Sequence, residues 1–137
     1  KAVAALTRAG IKTVIAMAPI LPGVSDQPAQ LEAVIRAARE AGACSLWAGY
    51  AYLKPGTREH FLSVLEREWP EQRAYYERLY GGRAYLGRDM SEPLQIQIAG
   101  LRREIGIADR REEKLAPPPE PAQMEMLLAA PVAQSST

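Results

Sequence analysis

Cysteine, histidine and long apolar runs are scarce in this chain of 137 residues. Cys44 is its only cysteine, which excludes an internal disulfide framework and any all-cysteine metal site built from this chain alone. Because Cys44 lies in an apolar stretch, we expect a buried, unreactive thiol. His60 is the only histidine, and a histidine without a neighbouring cysteine or histidine is typical of the surface rather than of a metal site.

A strong charge of either sign is also lacking, since 17 basic residues face 16 acidic ones. The resulting net charge of +1 favours no particular charged partner. The longest apolar run is far shorter than the roughly 18 residues that span a bilayer, so we expect no membrane partner. Neither a nucleophile-elbow serine nor a glycine-rich phosphate loop occurs. The composition fits a folded protein, and we expect a cytoplasmic location.

The stretch 13–26, which reads TVIAMAPILPGVSD, organises the rest of the chain. It runs from β-branched and other apolar residues into a bend with Pro19, Pro22 and Gly23. Such a run bounded by proline and glycine predicts a buried strand. Ser25 and Asp26 then precede an amphipathic segment, which predicts the start of a helix. The stretch is therefore predicted to form a strand, a loop and a helix N-terminus.

This pattern occurs twice. A predicted helix over 1–9 and a second over 27–41 each end in Ala-Gly and lead into predicted strands over 11–18 and 43–53. Repetition of helix and buried strand at this spacing predicts an α/β fold with a parallel sheet. Two strands cannot complete such a sheet, and the chain begins inside a predicted helix. We therefore expect a fragment whose remaining strands lie upstream.

The rest of the chain is predicted to be helical and then disordered. Helices are indicated over 58–69, 70–80 and 91–105, the last capped by Ser91 with Pro93 in its first turn. From residue 109 the chain is charged and then rich in proline and alanine, which is typical of a disordered tail. We expect three parts, namely β/α units over 1–57, a helical extension over 58–108 and a disordered tail over 109–137.

A succession of short motifs carries a family resemblance. The motifs are, in order, ALTRAGI at 5–11, APILPGVSD at 18–26, EAGA at 40–43, YLKP at 52–55, WP at 69–70, GGRAY at 81–85 and IGI at 105–107. Taken together, they resemble the second half of radical S-adenosylmethionine proteins, and above all the spore-photoproduct-lyase-like members. The resemblance covers residues 1 to 107.

The resemblance implies the fold, the cofactors and the reaction. The fold is the C-terminal part of a partial (β/α)6 TIM-like barrel followed by C-terminal helices. The full-length enzyme, lyase-like, uses a [4Fe–4S] cluster and S-adenosylmethionine to generate a 5′-deoxyadenosyl radical. It takes electrons from a flavodoxin or ferredoxin, and DNA or another nucleic acid is the candidate substrate. The cluster-binding CxxxCxxC motif is absent here. We therefore expect the cluster ligands upstream, no metal ligand in this chain, and an inactive fragment.

The resemblance also implies cofactor-binding residues. Ile20, Pro22, Gly23 and Asp26 match the loop after the family's fifth strand, which packs an apolar residue against the adenine. This loop departs from the family pattern by one extra residue between Ile20 and Gly23 and by aspartate in place of glutamate. The alternative is that proline and glycine only shape a bend and that Asp26 caps the following helix.

The end of the second predicted strand supplies the remaining candidates. Leu53 is expected to bind the cofactor, and Tyr52 is the candidate catalytic residue. Alternation along the strand places Tyr50 and Tyr52 on one face. The alternative is that these tyrosines pack inside the fold and that their hydroxyls find partners there.

Two other functions remain open. The C-terminal third is rich in arginine and tyrosine, which is typical of an α/β module that binds nucleic acid without catalysing a reaction. The residues concerned are Arg83, Arg88, Arg102, Arg103, Arg110 and Arg111, with Tyr75, Tyr76, Tyr80 and Tyr85. The alternative for this surface is a solvated face balanced by nearby acidic residues. A third reading is half of an unrelated (β/α) enzyme, since fold does not determine function.

Overall fold

A computed structural model describes residues 1–113 of the chain. Its elements are, in chain order, α1 (Ala2–Arg8), β1 (Val14–Ile20), α2 (Pro28–Glu40), β2 (Ser45–Tyr50), α3 (Thr57–Glu68), α4 (Pro70–Tyr80), α5 (Arg88–Ile105) and β3 (Ala108–Asp109). The mixed α/β class, the strands β1 and β2 and the five helices are those that the sequence predicts. The predicted tail from residue 114 onward lies outside the described residues.

The sheet is parallel, as predicted. Its strand order is β1-β2-β3, and Val14 pairs with Ser45 while Ala16 pairs with Trp47. Helix α2 forms the crossover between β1 and β2, because parallel neighbours need a long connection. Within residues 1–113 the sheet is open, and its three strands do not close into a barrel.

One face of the sheet carries the main core. Alternation along β1 and β2 places Met17, Leu46 and Ala48 on this face. Helices α2 and α5 cover it with Leu31, Ile35, Leu94 and Ile98. Each of these large side chains stabilises the fold by about 1.5–3 kcal/mol on burial. The opposite face of β1 exposes Ala16 and Ala18.

A second core joins the strand ends to the helical extension. Ala51 and Leu53, which follow β2, pack with Leu65 of α3 and with Tyr76 and Tyr80 of α4. This core is separate from the main one and lies beyond the carboxyl end of the sheet. The helical extension therefore packs directly on the loops that follow β1 and β2.

The short strand β3 was not predicted. Residues from 109 onward were assigned to the tail, but Ala108 pairs with Ser45 and Asp109 pairs with Leu46. The Arg110 N–H also donates to the Leu46 carbonyl at 3.1 Å. Two residues carry no sequence periodicity, so only the neighbouring strand reveals this element.

Helix α5 begins earlier than predicted. Its N-cap is Gly87, whose carbonyl accepts the backbone N–H groups of Met90 and Ser91. Ser91 is therefore not the cap, and Pro93 lies inside the helix. Pro93 is the sixth residue of the helix and has no N–H to donate to the Asp89 carbonyl, so α5 lacks one backbone hydrogen bond there.

Candidate functional site

The ends of β1 and β2 lie side by side. Ile20 pairs with Tyr50, and the Ala51 N–H donates to the Ile20 carbonyl at 3.0 Å. The loops that follow, 21–27 and 51–56, therefore share the carboxyl edge of the sheet. Parallel α/β folds bind their ligands at this edge.

The loop after β1 is closed by its own side chains. The Leu21 N–H donates to Ser25 Oγ at 2.9 Å, and the Gly23 N–H donates to Asp26 Oδ1 at 2.9 Å. Gly23 has a φ of +75°, a conformation that glycine adopts without strain. These contacts contradict the alternative interpretation, in which Asp26 caps the helix that follows. Gln27 is the N-cap of α2, and the Asp26 carboxylate instead holds the loop.

The predicted cofactor-binding residues differ in how far they are exposed to solvent. Ile20 is 2% exposed in the main core, and Leu53 is 4% exposed in the second core. Pro22 is buried as well, whereas Gly23 is exposed and Asp26 is half-buried. The two strand ends therefore come together, but the Ile20 and Leu53 side chains face the interior. A ligand at this edge would meet their backbone rather than their side chains.

The predicted alternation does not reach Tyr52, because β2 ends at Tyr50. Tyr50 is half-buried against the main core. Burial raises the pKa of its phenol, and the nearby Asp26 carboxylate raises it further. Tyr52 lies beyond the strand, is 47% exposed, and stacks on Tyr85 with ring centroids 4.3 Å apart. Of the two, only Tyr52 presents its ring to solvent to a large extent.

Two buried tyrosines of α4 were missed as part of this region. Tyr76 donates its hydroxyl to the Pro22 carbonyl at 2.8 Å, and Tyr80 donates to the Ala51 carbonyl at 2.7 Å. Burial raises the pKa of both phenols, that of Tyr80 to about 12. Their spacing of four residues predicts a shared helix face, but no sequence signal identifies the two carbonyls.

The uncovered face of the sheet carries small residues near this edge. Ala16 and Ala18 are exposed on β1, and Gly49 lies beside them on β2. A Cβ at Gly49 would come within 3.2 Å of the Trp47 ring, which lies along the strand toward this glycine. Small side chains let a bulky ligand approach the backbone closely. This face is therefore open beside Ala16 and Ala18, whereas the Trp47 ring covers Gly49.

The basic residues divide into paired and unpaired sets. Arg102 binds Asp109 at 2.6 Å, and Arg73 pairs with Glu66 and Glu77. Within the part of the chain that the structure describes, four cations near the strand-end loops form no ion pair, namely Lys54, Arg58, Arg83 and Arg88. The proposed aromatic set also divides, because Tyr76 and Tyr80 are buried and cannot stack on bases.

No metal site forms within residues 1–113, where histidine, cysteine and carboxylate side chains do not gather in groups of three or more. His60 is exposed, as predicted. Cys44 is half-buried, and its Sγ donates to the Thr13 carbonyl at 3.3 Å. The described helices include none with the length and apolar content of a membrane span.

Comparison with known proteins gives a small set of relatives. The chain is 28% identical over 116 residues to the uncharacterized protein Mb2609c of Mycobacterium bovis and, equally, to the uncharacterized protein Rv2578c of Mycobacterium tuberculosis. The match covers 85% of this chain and 34% of each relative. The chain thus spans about a third of the length of the curated relatives it matches. No family model and no solved structure matches it.

Proposed function

We propose that this chain is the C-terminal part of a radical S-adenosylmethionine enzyme. The observation that carries the proposal is the ordered succession of motifs from ALTRAGI to IGI, which coincides with two adjacent parallel strand ends. The APILPGVSD motif forms the end of β1 and its loop, and the YLKP motif follows β2. The two motifs that the resemblance assigns to the cofactor therefore meet at one edge of the sheet.

The fold proposed for the longer protein is a partial (β/α)6 barrel. Within residues 1–113 no strand pairs with the outer edge of β1, and Ala16 and Ala18 leave one sheet face uncovered. An unpaired edge and an uncovered face are what the last strands of a barrel present when its other strands are absent. The greater length of the relatives leaves room for those strands.

We place S-adenosylmethionine at the open face of the sheet rather than against the side chains of Ile20 and Leu53. The small residues Ala16 and Ala18 are exposed on this face, whereas Ile20 and Leu53 are buried. We therefore assign the cofactor to the backbone of the strand ends and to the exposed Gly23. When bound, S-adenosylmethionine supplies the radical chemistry. The [4Fe–4S] cluster does not fit this chain, which has one cysteine, so its ligands are proposed to lie in the remainder of the protein.

In this proposal the residues of this chain bind and orient the cofactor and the substrate. Ser25 and Asp26 hold the loop after β1 in one conformation through its backbone N–H groups. The second core keeps water away from the buried side of both strand ends. Tyr52 is the tyrosine beside β2 whose ring is most open to a substrate, and it remains the candidate catalytic residue.

The proposal is tested on the full-length protein. The gene is expected to encode CxxxCxxC ahead of Lys1, and anaerobic reconstitution with iron and sulfide should yield a four-iron cluster that cleaves S-adenosylmethionine after reduction by flavodoxin or ferredoxin. Replacing the three motif cysteines by alanine should abolish iron binding. The matched control, Cys44→Ala, should leave iron content unchanged. A gene without the motif, or a reconstituted protein that binds no iron, would refute the proposal.

A second candidate, nucleic-acid binding, is favoured by the surface around Tyr52 and Tyr85. Their stacked rings are exposed, and Lys54 and Arg83 nearby form no ion pair within residues 1–113. Aromatic faces stack on bases while cations contact phosphates. DNA or another nucleic acid is thus proposed either as the enzyme's substrate or as the partner of a module without catalysis.

Nucleic-acid binding is tested by measuring the affinity of the full-length protein for single-stranded DNA. Affinity for single-stranded DNA should fall steeply as salt rises. Tyr85→Ala should weaken binding roughly 5- to 150-fold, the equivalent of about 1–3 kcal/mol for one stacked base. Tyr85→Phe keeps the ring and should bind like the wild type. An affinity that does not change with salt concentration, or an equal loss of affinity in both variants, would count against a stacking surface.

A further inference from the structure

Helix α4 makes two buried hydrogen bonds to backbone carbonyls of the segments that follow β1 and β2. Its residues Tyr76 and Tyr80 are 1% and 0% exposed. The Tyr76 hydroxyl donates to the Pro22 carbonyl at 2.8 Å, and the Tyr80 hydroxyl donates to the Ala51 carbonyl at 2.7 Å. Pro22 follows β1 and Ala51 follows β2. One helix therefore holds a backbone carbonyl within two residues of the end of each strand of the candidate site.

These hydroxyls are not needed to fill the core. Phenylalanine has nearly the same volume, and burying a hydroxyl is unfavourable unless it is hydrogen-bonded. The two rings lie one turn apart on α4 and are nearly parallel, with centroids 6.2 Å apart and an interplanar angle of 9°. Their packing limits ring movement, so each hydroxyl is presented at a defined point. The specific contribution of the hydroxyls is the placement of two backbone carbonyls.

The contact between Tyr76 and Pro22 affects the whole of the loop after β1. Pro22 lies between Leu21 and Gly23, whose N–H groups are held by Ser25 and Asp26. The Tyr76 hydroxyl fixes this closed loop to α4, and α4 is fixed to the end of β2 by Tyr80. The two hydroxyl contacts therefore add to the direct hydrogen bond between the Ala51 N–H and the Ile20 carbonyl in fixing the two loops relative to each other.

We propose that Tyr76 and Tyr80 are positioning residues, which hold the loop after β1 and the segment after β2 in the arrangement that a nucleoside-containing cofactor requires. The inference rests on the proposed function, since it assigns that cofactor to the same edge. A preorganised site binds more tightly because less order has to be imposed on binding. Loss of one hydroxyl should therefore weaken binding even though every side chain that faces the ligand is unchanged.

The test uses the full-length protein with Tyr76→Phe and Tyr80→Phe, and Tyr75→Phe as the matched control. Tyr75 lies on the same helix and is half-buried, but within residues 1–113 its hydroxyl makes no hydrogen bond. Binding of labelled S-adenosylmethionine is measured by equilibrium dialysis far below the melting temperature. Tyr76→Phe and Tyr80→Phe should each raise the dissociation constant roughly 3- to 10-fold, as expected for one hydrogen bond. Tyr75→Phe should not change it.

A second readout is independent of the cofactor. Backbone amide exchange without ligand should accelerate at residues 23–25 in Tyr76→Phe and at residue 53 in Tyr80→Phe, with no change in Tyr75→Phe. Wild-type protein that binds S-adenosylmethionine, with both variants binding equally well, would overturn the inference while the proposed function stands. Wild-type protein that binds none would overturn the proposed function. In that case the cofactor part of the inference fails as well; accelerated exchange would show only that the hydroxyls order the two loops, and unchanged exchange would refute that too.

Discussion

The ion pair between Arg102 and Asp109 should decide whether β3 stays on the sheet. The Arg102 Nη1 and Asp109 Oδ2 atoms are 2.6 Å apart, and the side chains are only 14% and 18% exposed. Arg102 Nε is also buried and has no hydrogen-bond partner within residues 1–113. Asp109→Ala would leave this guanidinium buried without its carboxylate. We expect a loss of about 2–3 kcal/mol, in the upper part of the roughly 1.5–3 kcal/mol of a charged hydrogen bond and below the roughly 3–5 kcal/mol of a fully buried pair.

The pH dependence of stability gives a second measure of this pair. Burial alone would raise the pKa of Asp109, but the Arg111 N–H and the Arg102 guanidinium together lower it below its usual value of 3.8. A lowered pKa in the folded state means that the unfolded chain binds the proton first as pH falls. The stabilisation is therefore complete above about pH 4 and is lost as pH drops through the folded-state pKa. Asp109→Asn should remove this acid sensitivity.

The assay is urea unfolding of the full-length protein, followed by amide exchange at residues 108–110. A double-mutant cycle with Arg102→Ala separates the pair from each residue's other contacts. Lys12→Ala is the matched control, because its ion pair with Glu113 also joins distant parts of the chain but is more exposed. Little change is expected there. An Asp109→Ala variant as stable as Lys12→Ala, with unaltered exchange in β3, would refute the reasoning.

Three further predictions concern the cores and the open edge. Burial raises the pKa of the Tyr76 and Tyr80 phenols, that of Tyr80 to about 12, so the free energy of unfolding should fall as pH rises above 10, the usual pKa of tyrosine. Unfolding followed by circular dichroism would detect this fall, and a stability that stays constant up to pH 11 would contradict it. Ile35→Ala should cost about 2–5 kcal/mol in urea unfolding because Ile35 is 0% exposed, whereas Val34→Ala at a 44% exposed position should cost far less. Residues 1–113 expressed alone should aggregate through the unpaired edge of β1, and a sharp, reversible melt of that fragment would disprove this.

Much of the architecture was predictable because it depends on local patterns. The apolar spacing of Leu31, Ile35 and Ala38 predicts the buried face of α2, and Gly42 correctly marks its end. The predicted strand over 11–18 matches β1, Val14–Ile20, to within three residues at each end. The parallel arrangement of β1 and β2 follows from the helix between them. These features need only neighbours along the chain.

The candidate site was predictable only in outline. The motifs identify the loop at Pro22 and the segment at Leu53, and the structure brings them together. The orientation of Ile20 and Leu53 was not predictable, because β1 has an irregular register between Met17 and Ile20 and β2 ends at Tyr50. A single shift in register turns a side chain to the other face.

The amino-acid sequence alone determined which segments form helices and strands, since backbone preference and apolar periodicity act over a few residues. It also determined that this chain cannot supply the thiolates of an iron–sulfur cluster. Only the tertiary structure decided that two tyrosine hydroxyls hold Pro22 and Ala51, and that Asp109 extends the sheet beside Leu46. These contacts join residues that are far apart in the chain, so they exist only after the helices have packed on the sheet.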